Sequence, residues 1–170
     1  MRKITVLCAL LLTTVFLANA QDKKSGPPKS PRVTAQNDIA EISYGQPSKR
    51  GRVIFGDLVP YGKIWRTGAN KSTDLTVKTD VLFAGKPLKK GTYAVFTIPG
   101  EKEWTIILNS KTKQNGAFDY EKNKDKNVLE VTAKVNNVSD VLEKFTISFE
   151  NDNMVFGWDK VRVPVSLKKQ

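Results

Sequence analysis

The sequence predicts an all-β fold, an antiparallel β-sandwich with short helical turns only. Apolar residues alternate with polar ones over several short runs, as in strands that bury one face. Turn sequences rich in glycine, proline and asparagine separate those runs. The two observations together favour a sandwich of the immunoglobulin-like or jelly-roll-like kind. A closed β-barrel is the alternative, because a barrel strand alternates with the same period.

The clearest alternation lies in the C-terminal part of the chain. Trp104 and Trp158 share the parity of the apolar residues beside them, so both are expected in the core. Pro164 has no N–H group to donate, which predicts that the last strand lies at a sheet edge there. The alternating apolar positions are Leu129, Val131, Ala133 and Val135, then Phe145, Ile147 and Phe149, then Val161, Val163, Val165 and Leu167.

Other elements are predicted from residue type and from turns. Residues 92–98 and 104–108 are rich in β-branched, aromatic and aliphatic residues and flank a Pro-Gly turn, a pattern typical of a hairpin. Residues 55–61 and 138–142 are the candidates for short helical pieces. The remaining strand segments are residues 39–44, 75–84 and 154–158.

Residues 1–20 have the three-part pattern of a cleavable signal peptide. Two basic residues precede an uncharged, mostly apolar run over residues 4–17, and the small residues Ala18 and Ala20 follow it. The apolar run is shorter than the ~20 residues of a spanning helix, so no transmembrane segment is expected in the mature protein. An uncleaved N-terminal anchor is the alternative interpretation of the same residues.

The rest of the chain divides once by composition. Residues 21–31 are polar and rich in proline and glycine, which predicts a flexible tether. Residues 32–170 show no second break in composition and no internal repeat, so they are expected to form a single β-sandwich domain.

Cysteine and histidine usage excludes several function classes. The chain has no histidine, and its one cysteine, Cys8, lies inside the predicted signal peptide. Ser-His-Asp and Cys-His catalysis are therefore excluded, and we expect no metal site and no cofactor. Secreted eukaryotic domains of this size commonly depend on disulfides. Their absence favours a bacterial protein of the periplasm or outer envelope.

The chain is basic. Its formal net charge is +11, of which Arg2 and Lys3 contribute two, so residues 21–170 carry +9. The lysines are scattered, and several have acidic residues between them. No basic helix and no arginine-aromatic ladder occurs, so nucleic acid is not an expected partner.

Residues 44–74 depart from the strand pattern. Glycine and proline recur through this segment and bend the chain, yet it also carries large aromatic residues and arginines. Aromatic rings stack on flat ligand surfaces, and guanidinium groups bind carboxylates or phosphates in pairs. The competing interpretation is that these groups brace a long loop, with Trp65 closing one end of the sandwich. The candidate ligand-binding residues are Arg52, Tyr61, Trp65, Arg66, Asn70 and Thr73.

The same segment carries a family resemblance. The runs YGQPSKRGR and VPYGKIWRTGAN, followed later by GTYAVFTIPG and EWTIILN, resemble the exported bacterial family called domain of unknown function 2911. The resemblance covers nearly all of the chain after the signal peptide. It implies a secreted single β domain, and it transfers no activity and no catalytic residue. The matching positions are Tyr44, Gly45, Pro47, Gly51, Arg52, Trp65, Arg66, Gly68, Ala69, Asn70 and Thr73.

These observations favour a non-catalytic binding module over an enzyme. Its ligand is expected to be a glycan, a carboxylated small molecule or an envelope protein. One alternative is a glycan hydrolase that uses a carboxylate pair drawn from Glu41, Asp57 and Asp74. The other is a purely structural envelope component. A deep cleft with paired acids indicates the enzyme, an exposed aromatic shelf indicates binding, and an internally bonded Trp65 and Arg66 indicate the structural component.

The signal-peptide pattern makes a direct prediction. We expect cleavage between Ala20 and Gln21, because small residues stand at the two positions that a signal peptidase recognises. N-terminal sequencing of the exported protein checks this. A mature chain that still contains Cys8, with or without a lipid, contradicts the prediction.

Overall fold

Ten strands and one short helical segment follow one another through residues 30–170, the part of the chain that this computed structural model describes. The helical segment consists of α1 (Ala117–Tyr120) and a 3-10 helix (Glu121–Lys126). The strands are β1 (Arg32–Gln36), β2 (Ala40–Gly45), β3 (Thr73–Val77), β4 (Val81–Phe83), β5 (Lys86–Leu88), β6 (Gly91–Ile98), β7 (Glu103–Asn109), β8 (Asn127–Lys134), β9 (Asn136–Glu150) and β10 (Asn153–Lys169).

The strands form two antiparallel sheets. One has six strands in the order β1-β2-β3-β6-β7-β8, and the other has four in the order β5-β4-β10-β9. Neither sheet closes on itself within the described residues, so the prediction of an all-β sandwich is confirmed and the barrel alternative is not adopted. The predicted signal peptide and most of the predicted tether lie outside these residues. No helix in the described part is both long and apolar enough to span a membrane.

The core between the sheets contains the alternating residues that the sequence assigned to it. Trp104 and Trp158 are each 1% exposed, which confirms the prediction for both. They belong to an aromatic cluster whose ring centroids lie 5.0–6.4 Å apart. The members of this aromatic cluster are Phe55, Trp65, Trp104, Phe145 and Trp158.

The two helical candidates were wrong. Residues 55–61 form turns, because Gly56 has a φ of +90°, a value that an α-helix does not allow. Residues 138–142 belong to β9, where they follow the pairing with β10. Asn137 pairs with Val161 and Leu142 with Asp159, so four residues of β9 lie opposite Lys160 alone in a large, irregular bulge.

Pro164 lies where β10 has no pairing partner, as the prediction of a local edge required. β10 pairs with β9 on one side and with β4 on the other, but neither ladder includes Pro164. The pairing with β9 ends at Arg162, and the pairing with β4 begins at Leu167. Pro164 lies between the two ladders, where a missing N–H group removes no ladder hydrogen bond.

Residues 46–72, named here the connecting loop, join β2 to β3 and touch both sheets on the way. Near its start, Lys49 N donates to Glu143 O of β9 at 2.7 Å. Further on, Trp65 and Thr97 of β6 exchange two backbone hydrogen bonds of 2.7 and 2.9 Å. The connecting loop therefore leaves the six-stranded sheet, crosses to the four-stranded sheet and returns.

The return of the connecting loop depends on a close backbone contact. Ala69 N donates to Gly45 O at 3.1 Å, and a Cβ atom on Gly45 would lie 2.0 Å from Ala69 O. A Cβ atom on Gly68 would lie 2.8 Å from Gly45 O. Only glycine allows the two segments to approach this closely.

We expect Gly45→Ala to lower the free energy of unfolding by about 2–4 kcal/mol, because the backbone of the connecting loop has to move away. Urea denaturation measures the loss. Gly91→Ala is the matched control, since the nearest obstacle there is the movable hydroxyl of Tyr93 at 3.2 Å. Equal stability of the two variants contradicts the close contact.

Candidate functional site

An open cleft of about 380 Å³ lies where the connecting loop passes over the aromatic cluster. Three arginines line it, Arg50, Arg52 and Arg66, and no aspartate or glutamate of residues 30–170 does. The apolar part of its wall comes from Pro47, Leu58, Val59, Trp65 and Trp158. The cleft therefore combines positive charge with an apolar wall.

Four of the six sequence-predicted site residues line this cleft: Arg52, Trp65, Arg66 and Asn70. Tyr61 and Thr73 do not line it. Tyr61 is exposed, and its ring lies over Gly56. Burial, and after it the charge of Glu101, raises the pKa of the Tyr61 hydroxyl.

Thr73 braces the connecting loop from β3. It is fully buried, and its Oγ1 donates to Thr67 O at 2.6 Å. Thr67 has a φ of +55°, a strained value for a β-branched residue. Its own hydroxyl donates to Thr97 Oγ1 at 3.1 Å. These bonds hold the backbone in the strained conformation directly after Arg66.

Asn70 and Arg52 also donate side-chain hydrogen bonds to backbone carbonyl groups, Asn70 to the segment before β1 and Arg52 within the connecting loop. Asn70 has a φ of +67°, and its Nδ2 donates to Ser30 O at 3.1 Å. Arg52 donates from Nε to Lys49 O at 3.0 Å and from Nη2 to Ser48 O at 2.6 Å. Both side chains therefore brace the loop, as the competing interpretation of the sequence required.

Trp65 acts mainly as a plug. It is 9% exposed and lies among the rings of the aromatic cluster, with Phe145 at 5.0 Å between centroids. Its face is therefore covered and offers no shelf on which a sugar ring can stack.

Arg66 differs from its neighbours because its guanidinium group makes no hydrogen bond or ion pair with any residue from 30 to 170. The side chain is half-buried, and its Nε is fully buried. Burial lowers the pKa of the Arg66 guanidinium from its ordinary value, since desolvation disfavours the charged form. The group still carries its charge at neutral pH. A buried donor without a partner costs about 1–3 kcal/mol, so Arg66 is the one candidate whose burial the fold does not explain.

A network of amide side chains fixes the surroundings of Arg66. Gly116 packs against the Arg66 stem, with 3.3 Å between the arginine Cδ and a Cβ atom built on Gly116. The segment before Gly116 is held by Gln114, which exchanges two bonds of 3.0 and 3.1 Å with Ser72. Gln114 Nε2 also donates to Asn109 Oδ1 at 3.2 Å. Sequence reasoning missed these residues, because no local pattern marks an amide that will be buried.

The acids considered for glycan hydrolysis lie away from the cleft. Asp57 is exposed on the connecting loop, and Glu41 lies on β2. Asp74 accepts a bond of 3.2 Å from Ser72 Oγ and lies 3.5 Å from Arg32 Nη2. The part of the chain that the structure describes also holds no group of three or more metal-ligating side chains.

Comparison with known proteins gives a family and nothing narrower. Residues 27–167 match the family model described as "Protein of unknown function (DUF2911)". No curated protein and no solved structure matches the chain. The match includes β1 to β9, most of β10 and the whole cleft.

The contrast between Arg52 and Arg66 can be measured. We expect Arg66→Met to leave the melting temperature unchanged or to raise it, because the substitution removes an unpaired donor and keeps the stem. Arg52→Met removes two bonds to carbonyl groups and should cost about 1–2 kcal/mol. Thermal and urea denaturation of both variants check this. If Arg66→Met is the less stable variant, Arg66 braces the fold and does not face a ligand.

Proposed function

The chain belongs to the family of proteins of unknown function DUF2911, and because that description assigns no activity, we propose a function from the cleft. The protein is an exported, non-catalytic binding module that holds a small carboxylated molecule. The carboxylate of this molecule pairs with the Arg66 guanidinium in the cleft. Export to the periplasm or outer envelope is part of the proposal, and it is supported by the signal-peptide pattern of residues 1–20.

The observation that carries this proposal is the unpaired state of Arg66. Its buried Nε has lost water without gaining an acceptor among the described residues. A carboxylate supplies two acceptor oxygens in a plane, which matches the fork of guanidinium N–H groups. The Arg66 Nη groups are not fully buried and make no hydrogen bond within residues 30–170, so such a ligand would pair a charge that the fold leaves without a partner.

The cleft favours a carboxylated small molecule over the other two ligand classes. A volume of about 380 Å³ suits a small molecule better than a protein surface. Sugar recognition commonly uses an accessible ring face, and the rings of Trp65 and Trp158 are 9% and 1% exposed. The charged groups are therefore better placed than the rings to select a ligand.

The two alternative functions explain less of the site. Hydrolysis by a carboxylate pair requires two acids about 5–10 Å apart around the substrate, and among the described residues no acid lines this cleft. A purely structural role accounts for Trp65, Arg52 and Thr73. It does not account for Arg66, whose guanidinium makes no hydrogen bond or ion pair within residues 30–170.

A carboxylate and its uncharged analogue test the proposal. We expect benzoate to bind and benzamide to bind at least tenfold more weakly, because only the acid forms charge-assisted bonds with Arg66. Arg66→Met should weaken benzoate binding by about tenfold to a hundredfold. Titration calorimetry gives the affinities, and the fluorescence of the tryptophans beside the cleft provides a second readout.

Lys89→Met is the matched control, since it removes one positive charge from an exposed site that is paired with Asp80 and does not line the cleft. Its benzoate affinity should equal that of the unaltered protein. Equal loss of affinity in the two variants would mean that net charge alone attracts the acid. That result contradicts a site at Arg66.

A further inference from the structure

The connecting loop carries exposed aliphatic residues, one of which lines the cleft. Leu58 lines the cleft and is 42% exposed, although it is a large aliphatic residue. Val53 is 62% exposed, and its carbonyl oxygen accepts a bond of 3.4 Å from Leu58 N, so the two residues are neighbours. Exposed aliphatic side chains beside a ligand cleft mark a surface that gains from contact with an apolar group.

An arginine without a partner and exposed aliphatic side chains occur together at this cleft. Arg66 Nε is shielded from solvent, whereas Leu58 and Val53 are open to it. Arg52 already gives two of its donor groups to carbonyl oxygens of the loop. The cleft therefore offers one unpaired guanidinium for a carboxylate and, at Leu58, aliphatic surface for the rest of the ligand.

We propose that the ligands of this cleft are amphiphilic monocarboxylic acids, with the carboxylate on Arg66 and an aliphatic chain against Leu58. The inference rests on the proposed function and adds the chemical class of the ligand. Hydroxyl groups placed against Pro47, Leu58 and Val59 would lose water without gaining a hydrogen-bond partner there, whereas an aliphatic chain gains from the same contact.

A series of dissolved acids tests the class. Acetate, butyrate, hexanoate and octanoate are titrated into the purified protein below the concentrations at which they form micelles. Affinity should rise by about two- to fourfold per methylene group, because each group leaves water for the apolar wall. Glucuronate, which has six carbons like hexanoate but several hydroxyl groups, should bind at least tenfold more weakly than hexanoate.

Two variants separate the head of the ligand from its chain. Leu58→Ser should flatten the rise of affinity from acetate to octanoate and leave acetate unchanged. Arg66→Met should weaken every acid by a similar factor and keep the rise. Val128→Ser is the matched control for Leu58→Ser, because Val128 is a 48% exposed aliphatic residue on β8 that does not line the cleft.

Each remaining outcome overturns a defined part of the proposal. Acids that all bind equally through Arg66, or glucuronate that binds more tightly than hexanoate, would reject the amphiphilic class and leave the carboxylate site intact. Binding only to phosphatidylcholine vesicles that contain oleate, with no binding of dissolved octanoate, would reject a free acid as the ligand. An unaltered protein that binds no acid at all would reject the proposed function as well.

Discussion

The contact between Gly45 and Ala69 is the constraint on which the rest of the cleft depends. It brings the end of β2 within backbone distance of the connecting loop, so the loop has to return to the sheet at that point. Trp65 can then pair with Thr97 and plug the sandwich, and Arg66 follows directly in the chain. A side chain at residue 45 would separate the two segments and displace both site residues.

Neighbouring residues of the connecting loop affect the stability of the fold in opposite directions. The aromatic contacts of Trp65 and the hydroxyl bonds of Thr67 and Thr73 hold the loop in one conformation. Arg66 is held by the same conformation without a partner among the described residues, which opposes folding. Sites that are prepared for a ligand commonly carry such a local cost, and the surrounding bonds compensate for it.

The sequence predicted the sandwich because alternation of period two is a local property that survives in the fold. Sequence reasoning also grouped four residues that line the cleft, because they lie close together in the chain: Arg52, Trp65, Arg66 and Asn70. The bulge of β9 and the internal position of β10 depend on pairing between distant residues, so no local pattern could reveal them. The burial of Gln114 depends in the same way on Ser72, a residue far away in the chain.

The bulge of β9 also affects whether a second copy of the protein can pair with this strand. β9 is an edge strand, and a regular edge of this length would offer a row of unpaired backbone groups to another chain. The extra residues opposite Lys160 interrupt that row, and the start of the connecting loop covers part of the remainder at Glu143 and Phe145. A second molecule therefore finds no continuous edge to extend, which protects this strand-rich protein against aggregation through β9.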